Sequence, residues 1–180
     1  YPMMKRYMEY LGRKAENHIL DHGLGDWYDL GPRSPGPAQL TPKSLTATAI
    51  YYYDLKLLSR MAQLMGKNSE SEGYAELAEE VRIAFNRKFF NEDQKNYATG
   101  SQTSYAMPLY FGMVDPVYEK EVRQNLAEEL RRNNNALTSG DVGYRYLVQA
   151  LRESGYSDII YKMNYRSDVP GYGYQLEKGA

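Results

Sequence analysis

Apolar residues recur at three- and four-residue spacings along almost the whole chain, and this pattern constrains the fold more than any other feature. In the first segment they stand at positions 3, 4, 7, 8 and 11, then at 15 and 19. Such spacing places an apolar stripe along one face of a helix. The alternating apolar and polar order of a half-buried strand is almost absent. The chain is therefore predicted to be all-α.

Start and stop residues divide this pattern into about seven helices. The first is predicted to end at Gly23, and the second to be capped by Thr41 before Pro42 and to run to Gly66. Acids come early and arginines late in the segment 115–133, as the helix macrodipole favours. The helices after the first are predicted at residues 41–66, 69–90, 101–113, 115–133, 139–155 and 156–166.

The loops between these helices differ in length, and this difference bears on the architecture. Residues 91–100, NEDQKNYATG, are predicted to form a turn or a short hairpin. Short loops at one end and long loops at the other suit antiparallel helical hairpins in a ring, with a site at the long-loop mouth. The long loops are predicted at residues 21–41, 91–101 and 167–180.

Composition excludes several classes of partner. Lys and Arg number 22 against 23 Asp and Glu, so no basic excess points to nucleic acid or to a membrane surface. Cysteine is absent from the sequence, which excludes disulfides and thiolate metal sites. No apolar run approaches the roughly 18 residues of a membrane span. The opening YPMMKRYMEY carries charges where a signal peptide needs an apolar core, and no compartment is assigned.

The two histidines, His18 and His22, stand four residues apart, the spacing of two metal ligands on one helix face. A third ligand is hard to find in the sequence, and Gly23 follows at once. The pair is therefore predicted to lie in the last turn of a helix, and no metal or other cofactor is expected.

Aromatic residues give the first indication of function. The chain has 19 tyrosines, whose apolar ring and polar tip suit a wet cavity such as a sugar-binding cleft, although helix packing accounts for most of them. The one tryptophan, Trp27, lies between Asp26 and Asp29 in the stretch GLGDWYDLGPRSPGP. That stretch has too many glycines and prolines for a helix, so the indole is predicted to be presented by a loop.

Four stretches, in this order, resemble bacterial α-L-rhamnosidases of glycoside hydrolase family 78. They are YPMMKRYMEYL, GLGDWYD, FNRKFFNEDQKNYATGSQTSYAMPLYFGMV and ALTSGDVGYRYLVQALRESGYSDIIYKMNYRSDVPGYGYQLEKGA. The resemblance covers nearly the whole chain. It implies that residues 1–180 are part of a single catalytic (α/α)6 toroid, a ring of six helical hairpins. It also implies an inverting glycosidase, without a cofactor, whose partner is a rhamnose-containing carbohydrate.

The resemblance further implies that the catalytic pair lies outside the sequence. An inverting glycosidase needs a carboxylic acid and a carboxylate base roughly 6.5–9.5 Å apart. In the family the acid precedes the position of Tyr1, and the base follows that of Ala180 by a few residues. No catalytic residue is therefore assigned, both ends are expected to be cut from a longer domain, and the chain alone is predicted to be inactive. Its exposed end faces are expected to be apolar and to allow self-association.

Four residues are predicted to bind substrate on the strength of the resemblance. Trp27 is expected to stack on a sugar ring, and Asp26 to accept a hydrogen bond from a hydroxyl. Tyr172 and Glu177 are expected to line the site near the missing base. Structural alternatives stay open: Trp27 as a loop anchor, Asp26 as a turn cap, and Glu177 as a partner in a loop hydrogen bond.

Three other polar residues are given structural roles. Asp29 is predicted to be a turn residue, Asp141 to cap the helix that follows it, and Gln102 to begin its helix. Two other functions remain possible for the chain as a whole. One is another six-hairpin glycosidase or a phosphorylase, and the other is a non-catalytic helical-repeat scaffold, although no fixed period of 30 to 50 residues is visible.

Overall fold

The computed structural model describes residues 1–179, and its regular secondary structure is almost entirely helical, which confirms the all-α prediction. The two short strands pair antiparallel, with Phe90 opposite Tyr97, so the predicted short hairpin is also confirmed. The elements are α1 Pro2–Lys14, α2 Lys43–Leu64, α3 Asn68–Phe89, β1 Phe90–Asn91, β2 Asn96–Tyr97, α4 Gln102–Phe111, α5 Glu119–Arg132, α6 Gly143–Glu153, α7 Ser157–Tyr165 and α8 Tyr172–Glu177.

The helices form two rows. In one row α2, α4 and α6 pack side by side, and α3, α5 and α7 pack behind them. The connection between α2 and α3 is only three residues long, which forces these two helices to run antiparallel. At the two ends of the rows, α1 packs against α2, and α8 packs against α7. The chain thus forms the helical hairpins that the loop lengths predict.

Helix α4 lies at the centre of the molecule because α2, α5 and α6 all pack against it. Nine of its ten residues are buried, including the polar Gln102 and Thr103 in its first turn. The Ser101 side chain caps the helix by accepting a hydrogen bond from the Ser104 N–H, and Gly112 ends it with a φ of 69°. Pro108 lies inside this helix, which continues past it to Phe111.

The prediction that the first helix runs to Gly23 is wrong, because α1 ends at Lys14. A tight turn follows, in which Glu16 and Ile19 exchange two backbone hydrogen bonds of 2.9 Å, and Asn17 and His18 take positive φ values. The prediction that His18 and His22 occupy a helical turn is wrong for the same reason. They do not share a helix face.

The predicted cap of α2 is also wrong. The helix begins at Lys43, with Pro42 at the capping position. The hydroxyl of Thr41 instead shares a 2.6 Å hydrogen bond with the hydroxyl of Ser101. Thr41 therefore ties the start of α2 to the start of α4.

The segment 167–180, predicted to be a long loop, contains the short helix α8 at Tyr172–Glu177. Within residues 1–179, no helix has the length and apolar character needed to cross a membrane.

Candidate functional site

The loops that precede α2, α6 and α8 meet at one end of the molecule. Three backbone hydrogen bonds join them, each between residues far apart in sequence. The N–H of Leu30 donates to Thr138 O at 2.9 Å, and the N–H of Asp141 donates to Trp27 O at 2.8 Å. The N–H of Leu137 donates to Pro170 O at 2.8 Å. We call this region the mouth; it comprises residues 23–41, 133–142 and 166–171.

A cleft of about 610 Å³ opens at the mouth. Its walls combine aromatic rings and aliphatic side chains with a few polar groups, the composition typical of small-molecule sites. Tyrosine rings next to hydroxyl and carboxylate groups suit a ligand with both C–H faces and hydroxyls. The lining residues are Tyr28, Leu30, Leu137, Ser139, Gly140, Asp141, Tyr144, Tyr172 and Gln175.

Asp26 lies beneath the cleft and is fully buried. Its Oδ2 accepts hydrogen bonds from the Thr103 hydroxyl at 2.5 Å and the Gly140 N–H at 2.9 Å. Its Oδ1 accepts from the Gly143 N–H at 2.7 Å. Burial raises the pKa of this carboxyl above its ordinary value, although the three donors act in the opposite direction. Asp26 thereby joins the loop before α2 to the first turns of α4 and α6.

Two glycines make this close approach possible. A Cβ atom added to Gly140 would lie 2.1 Å from the carbonyl oxygen of Trp27. One added to Gly143 would lie 1.9 Å from the Thr103 hydroxyl oxygen. Only glycine lets these backbones contact the Asp26 loop, so the two glycines of the sequence GDVG are explained by packing.

Asp29 anchors the other side of the same loop, in the structural role predicted for it. It is buried, and its carboxylate accepts hydrogen bonds from the backbone N–H groups of Gln39 and Leu40, at distances of 2.6–2.9 Å. The loop 23–41 is thus held by a buried carboxylate at two points.

Trp27 is half-buried, and its indole packs edge to face against the ring of Tyr28, with centroids 5.6 Å apart. Tyr28, which is 50% exposed, lines the cleft, whereas Trp27 is not among the lining residues. Direct stacking of Trp27 on a sugar stays a prediction. Its carbonyl oxygen has a defined structural role as the acceptor for the Asp141 N–H.

Of the other two predicted binding residues, Tyr172 lines the cleft and Glu177 does not. The Tyr172 ring meets the Tyr144 ring at a near right angle, with centroids 5.7 Å apart. Burial, together with a hydrogen bond to Tyr172, raises the pKa of the Tyr144 hydroxyl to about 12. Glu177 is exposed at the last residue of α8. The structure therefore brings Tyr172 to the cleft, Asp26 beneath it and Trp27 beside it, and substrate binding by all four stays a prediction.

Comparison with known proteins shows to which family the chain belongs. The family described as the bacterial alpha-L-rhamnosidase 6 hairpin glycosidase domain matches residues 1–180. The chain belongs to this family.

Solved structures of α-L-rhamnosidases share the fold. The enzyme from Dictyoglumus thermophilum is 33% identical, with a TM-score of 0.92 over 100% of this chain and 20% of that chain. The Streptomyces avermitilis α-L-rhamnosidase, solved with L-rhamnose, is 25% identical, with a TM-score of 0.87 over 99% of this chain and 16% of that chain. The predicted architecture, part of an (α/α)6 toroid, is confirmed.

Curated relatives give the same result. An α-L-rhamnosidase of Formosa agariphila is 28% identical over 100% of this chain and 20% of its own length. The chain spans about a fifth of the length of the curated relatives that it matches.

In this chain of the rhamnosidase family, sequence reasoning missed the position of Asp141 in the cleft. Its predicted capping of α6 is wrong, because the helix begins at Gly143 with Val142 at the capping position. Asp141 is exposed and lines the cleft. The signal available in the sequence was the glycine on each side of Asp-Val, which indicates a backbone packed too closely for a side chain.

Gln102 has a structural role beyond starting α4. Its Oε1 accepts a hydrogen bond from the Thr138 N–H at 2.9 Å, and its Nε2 donates to Ala136 O at 2.8 Å. This buried amide fixes the loop 133–142 on the first turn of α4.

Neither histidine lines the cleft. His18 Nδ1 is 3.9 Å from Glu80 Oε2, and His22 Nε2 is 3.4 Å from the Tyr10 hydroxyl. In the part of the chain that the structure describes, no three His, Asp or Glu side chains are grouped so that they could hold a metal ion.

Proposed function

We propose that residues 1–180 are part of the single catalytic domain of an inverting α-L-rhamnosidase. Its reaction is the removal of terminal α-L-rhamnose from oligosaccharides, polysaccharides or other glycosides. One observation carries the proposal: a chain that matches the rhamnosidase six-hairpin family over its whole length has, at its mouth, a cleft lined by tyrosines, leucines and a carboxylate.

The lining of the cleft suits a 6-deoxy sugar. Rhamnose presents a methyl group and C–H faces, which the side chains of Leu30 and Leu137 and the tyrosine rings can pack against. Its hydroxyls need hydrogen-bond partners, and Ser139, Asp141 and Gln175 lie on the same walls. The cleft thus combines apolar packing with a few orienting polar groups.

We propose that the acid and base residues lie outside this chain and that residues within it position the substrate. An inverting glycosidase protonates the leaving oxygen with one carboxylic acid and activates water with a second carboxylate. We infer that both lie beyond residues 1–180. Within the chain, Trp27, Tyr172 and Glu177 are proposed to contact sugar or its neighbours. Asp26, being buried, is proposed to act by holding Gly140 and Gly143 under the cleft.

The test uses the full-length enzyme that contains this chain and an aryl α-L-rhamnoside. We expect hydrolysis, with β-L-rhamnose as the first sugar product in a proton NMR time course, as inversion requires. Residues 1–180 alone are expected to give no turnover, because loss of an acid or base costs about 10²–10⁴-fold in rate.

Three outcomes contradict the proposal. They are activity only on other aryl glycosides, activity that requires inorganic phosphate, and no activity on any glycoside. The first two correspond to another glycosidase and a phosphorylase, and the third to a binding scaffold. Initial release of α-L-rhamnose contradicts the inverting mechanism alone.

A further inference from the structure

Asp141 is the one charged side chain among the residues that line the cleft of residues 1–179. It differs in this from the other aspartates of the mouth, of which Asp168 forms an ion pair with Arg166. Asp26 and Asp29 are buried, and both bind backbone N–H groups of this chain. The Asp141 carboxylate is exposed and makes no hydrogen bond or salt bridge to a residue that the structure describes. It is therefore free to bind a ligand.

The backbone that carries Asp141 is held in place on both sides. The Asp141 N–H donates to Trp27 O at 2.8 Å. The preceding Gly140 N–H and the following Gly143 N–H both donate to the Asp26 carboxylate, at 2.9 and 2.7 Å. A side chain fixed in this way binds with little loss of backbone entropy, so it is suited to selecting a ligand.

The neighbours of Asp141 indicate the chemical class of that ligand. Tyr28 and Tyr172 are 50% and 51% exposed, so their rings are available for contact with a C–H face. Asp141 itself lies just before the first turn of α6. An ionised carboxylate is an acceptor only, and its best neutral partner is a hydroxyl donor.

We propose that Asp141 is a substrate-binding residue, whose carboxylate accepts a hydrogen bond from a hydroxyl of the sugar in the cleft. This inference rests on the proposed rhamnosidase function and identifies the residue that orients the sugar.

The first experiment compares three variants of the full-length enzyme on an aryl α-L-rhamnoside. Hydrogen bonds to charged groups are strong, so Asp141→Ala is expected to lower kcat/KM by about 10–100-fold. Asp141→Asn keeps an acceptor oxygen without the charge and is expected to lose less. The control is Asp93→Asn, an exposed aspartate in the β1–β2 turn, for which kcat/KM should stay at the wild-type value.

The second experiment uses aryl rhamnosides that each lack one ring hydroxyl. The wild-type enzyme should lose activity on each, whereas Asp141→Ala should show no further loss on the one whose missing hydroxyl binds Asp141. If Asp141 has only a structural role, Asp141→Ala should lower activity by the same factor on every sugar of the panel. That result would overturn the inference.

The two experiments separate this inference from the function on which it rests. If wild-type enzyme hydrolyses the rhamnoside and the Asp141 variants behave as Asp93→Asn does, the inference fails and the proposed function stands. If wild-type enzyme hydrolyses no rhamnoside, the proposed function fails and the inference falls with it.

Discussion

At the mouth, backbone N–H groups from several loops converge on buried carboxylates, whereas the flank formed by α1 and α2 leaves large apolar side chains in solvent. Asp26 has donors on both of its oxygens within the chain. On the flank, Met3 is 73% exposed and Tyr7 is 52% exposed. A groove of about 390 Å³ opens there, lined by Met3, Met4, Tyr7, Met8, Asp54, Leu57 and Leu58.

The chain determines by itself the geometry of the mouth but leaves the apolar surface of the flank uncovered. The donors to the Asp26 and Asp29 carboxylates all lie within residues 1–179, so this buried network needs no further surface to complete it. The α1–α2 groove is apolar and open, and burial raises the pKa of the Asp54 carboxyl above its ordinary value. Apolar surface of this kind is stabilised when another surface covers it. Substitution of the buried carboxylates at the mouth should therefore act through folding, and substitution on the flank through association.

The largest effect is expected from Asp26→Ala, which tests whether the mouth is a closed network. The substitution leaves the Gly140 and Gly143 N–H groups without their acceptor, whereas the Thr103 hydroxyl can still donate to Ser139 Oγ, 3.0 Å away. Each unsatisfied buried donor costs about 1–3 kcal/mol, so stability should fall by at least about 2 kcal/mol. Denaturant unfolding measures the change.

The graded control for Asp26→Ala is Thr103→Val, which removes one of the three donors and keeps the carboxylate. It should cost about a third as much. Equal stability of wild type and Asp26→Ala would show that the mouth is held by something other than this network.

The next effect concerns Trp27, beside the cleft. In the full-length enzyme, Trp27→Ala should lower rhamnoside kcat/KM by more than about tenfold, since a lost binding contact is worth about 1–3 kcal/mol. A fully buried tryptophan would instead cost roughly 3–5 kcal/mol in stability, but Trp27 is only half-buried, so Tm should change little. The exposed Leu24→Ala in the same loop is the control. Unfolding of the Trp27 variant, with or without activity loss, would assign the indole to packing.

The flank is tested by association. We expect the 180-residue chain to form dimers or larger species in analytical ultracentrifugation, through the apolar α1–α2 groove. Met3→Lys combined with Tyr7→Lys should lower the associated fraction several-fold. Ile83→Lys, on the exposed face of α3, should leave it unchanged. If the chain is monomeric at all concentrations, the α1–α2 groove is not an association surface and the contrast between flank and mouth is wrong.

The smallest effect is expected from the partly buried ion pair between α1 and α3. Lys5 Nζ lies 2.6 Å from Glu70 Oε2, and hydrogen bonds from Lys5 and Tyr1 lower the pKa of Glu70 from 4.5 to about 2. Folding thus favours the ionised form, so its contribution is complete above about pH 4.5 and is lost as the pH falls towards 2.

Glu70→Gln should therefore lower Tm slightly at pH 7 and not at all near pH 2, and added salt should shrink the difference. A Tm difference that persists at pH 2 would show that packing, and not the charge of Glu70, is responsible.

Most of the helices could be predicted from the sequence because the apolar residues of each helix recur at a regular, local spacing. It misplaced the end of α1 because Ile19 and Leu20 continue the apolar pattern outside a helix. Leu20 is buried, and its N–H donates to the Thr48 hydroxyl at 3.0 Å. A contact with α2 thus outweighs local helix propensity in this segment.

The roles of the aspartates at the mouth were harder to predict for a related reason. Asp26 and Asp141 stand beside similar residues, glycine before each, yet one is buried and the other exposed. Which of them faces solvent depends on the packing of loops more than a hundred residues apart, and no local pattern carries that information. The family resemblance supplied the fold, and the structure is needed to show which carboxylate is buried and which is exposed.

The hydrogen bond from the Gly143 N–H to Asp26 has a consequence for synthesis. The two residues are 117 positions apart. At about 5–20 residues per second, a ribosome needs roughly 6–23 seconds to make the chain between them. During that interval α1, α2 and α3 can already pack, while the Asp26 carboxylate remains without its two glycine partners. In the nascent chain the helices α1 to α5 can therefore form before Asp26 gains its glycine partners, whereas the bonds from Gln39 and Leu40 to Asp29 need no residue beyond position 40.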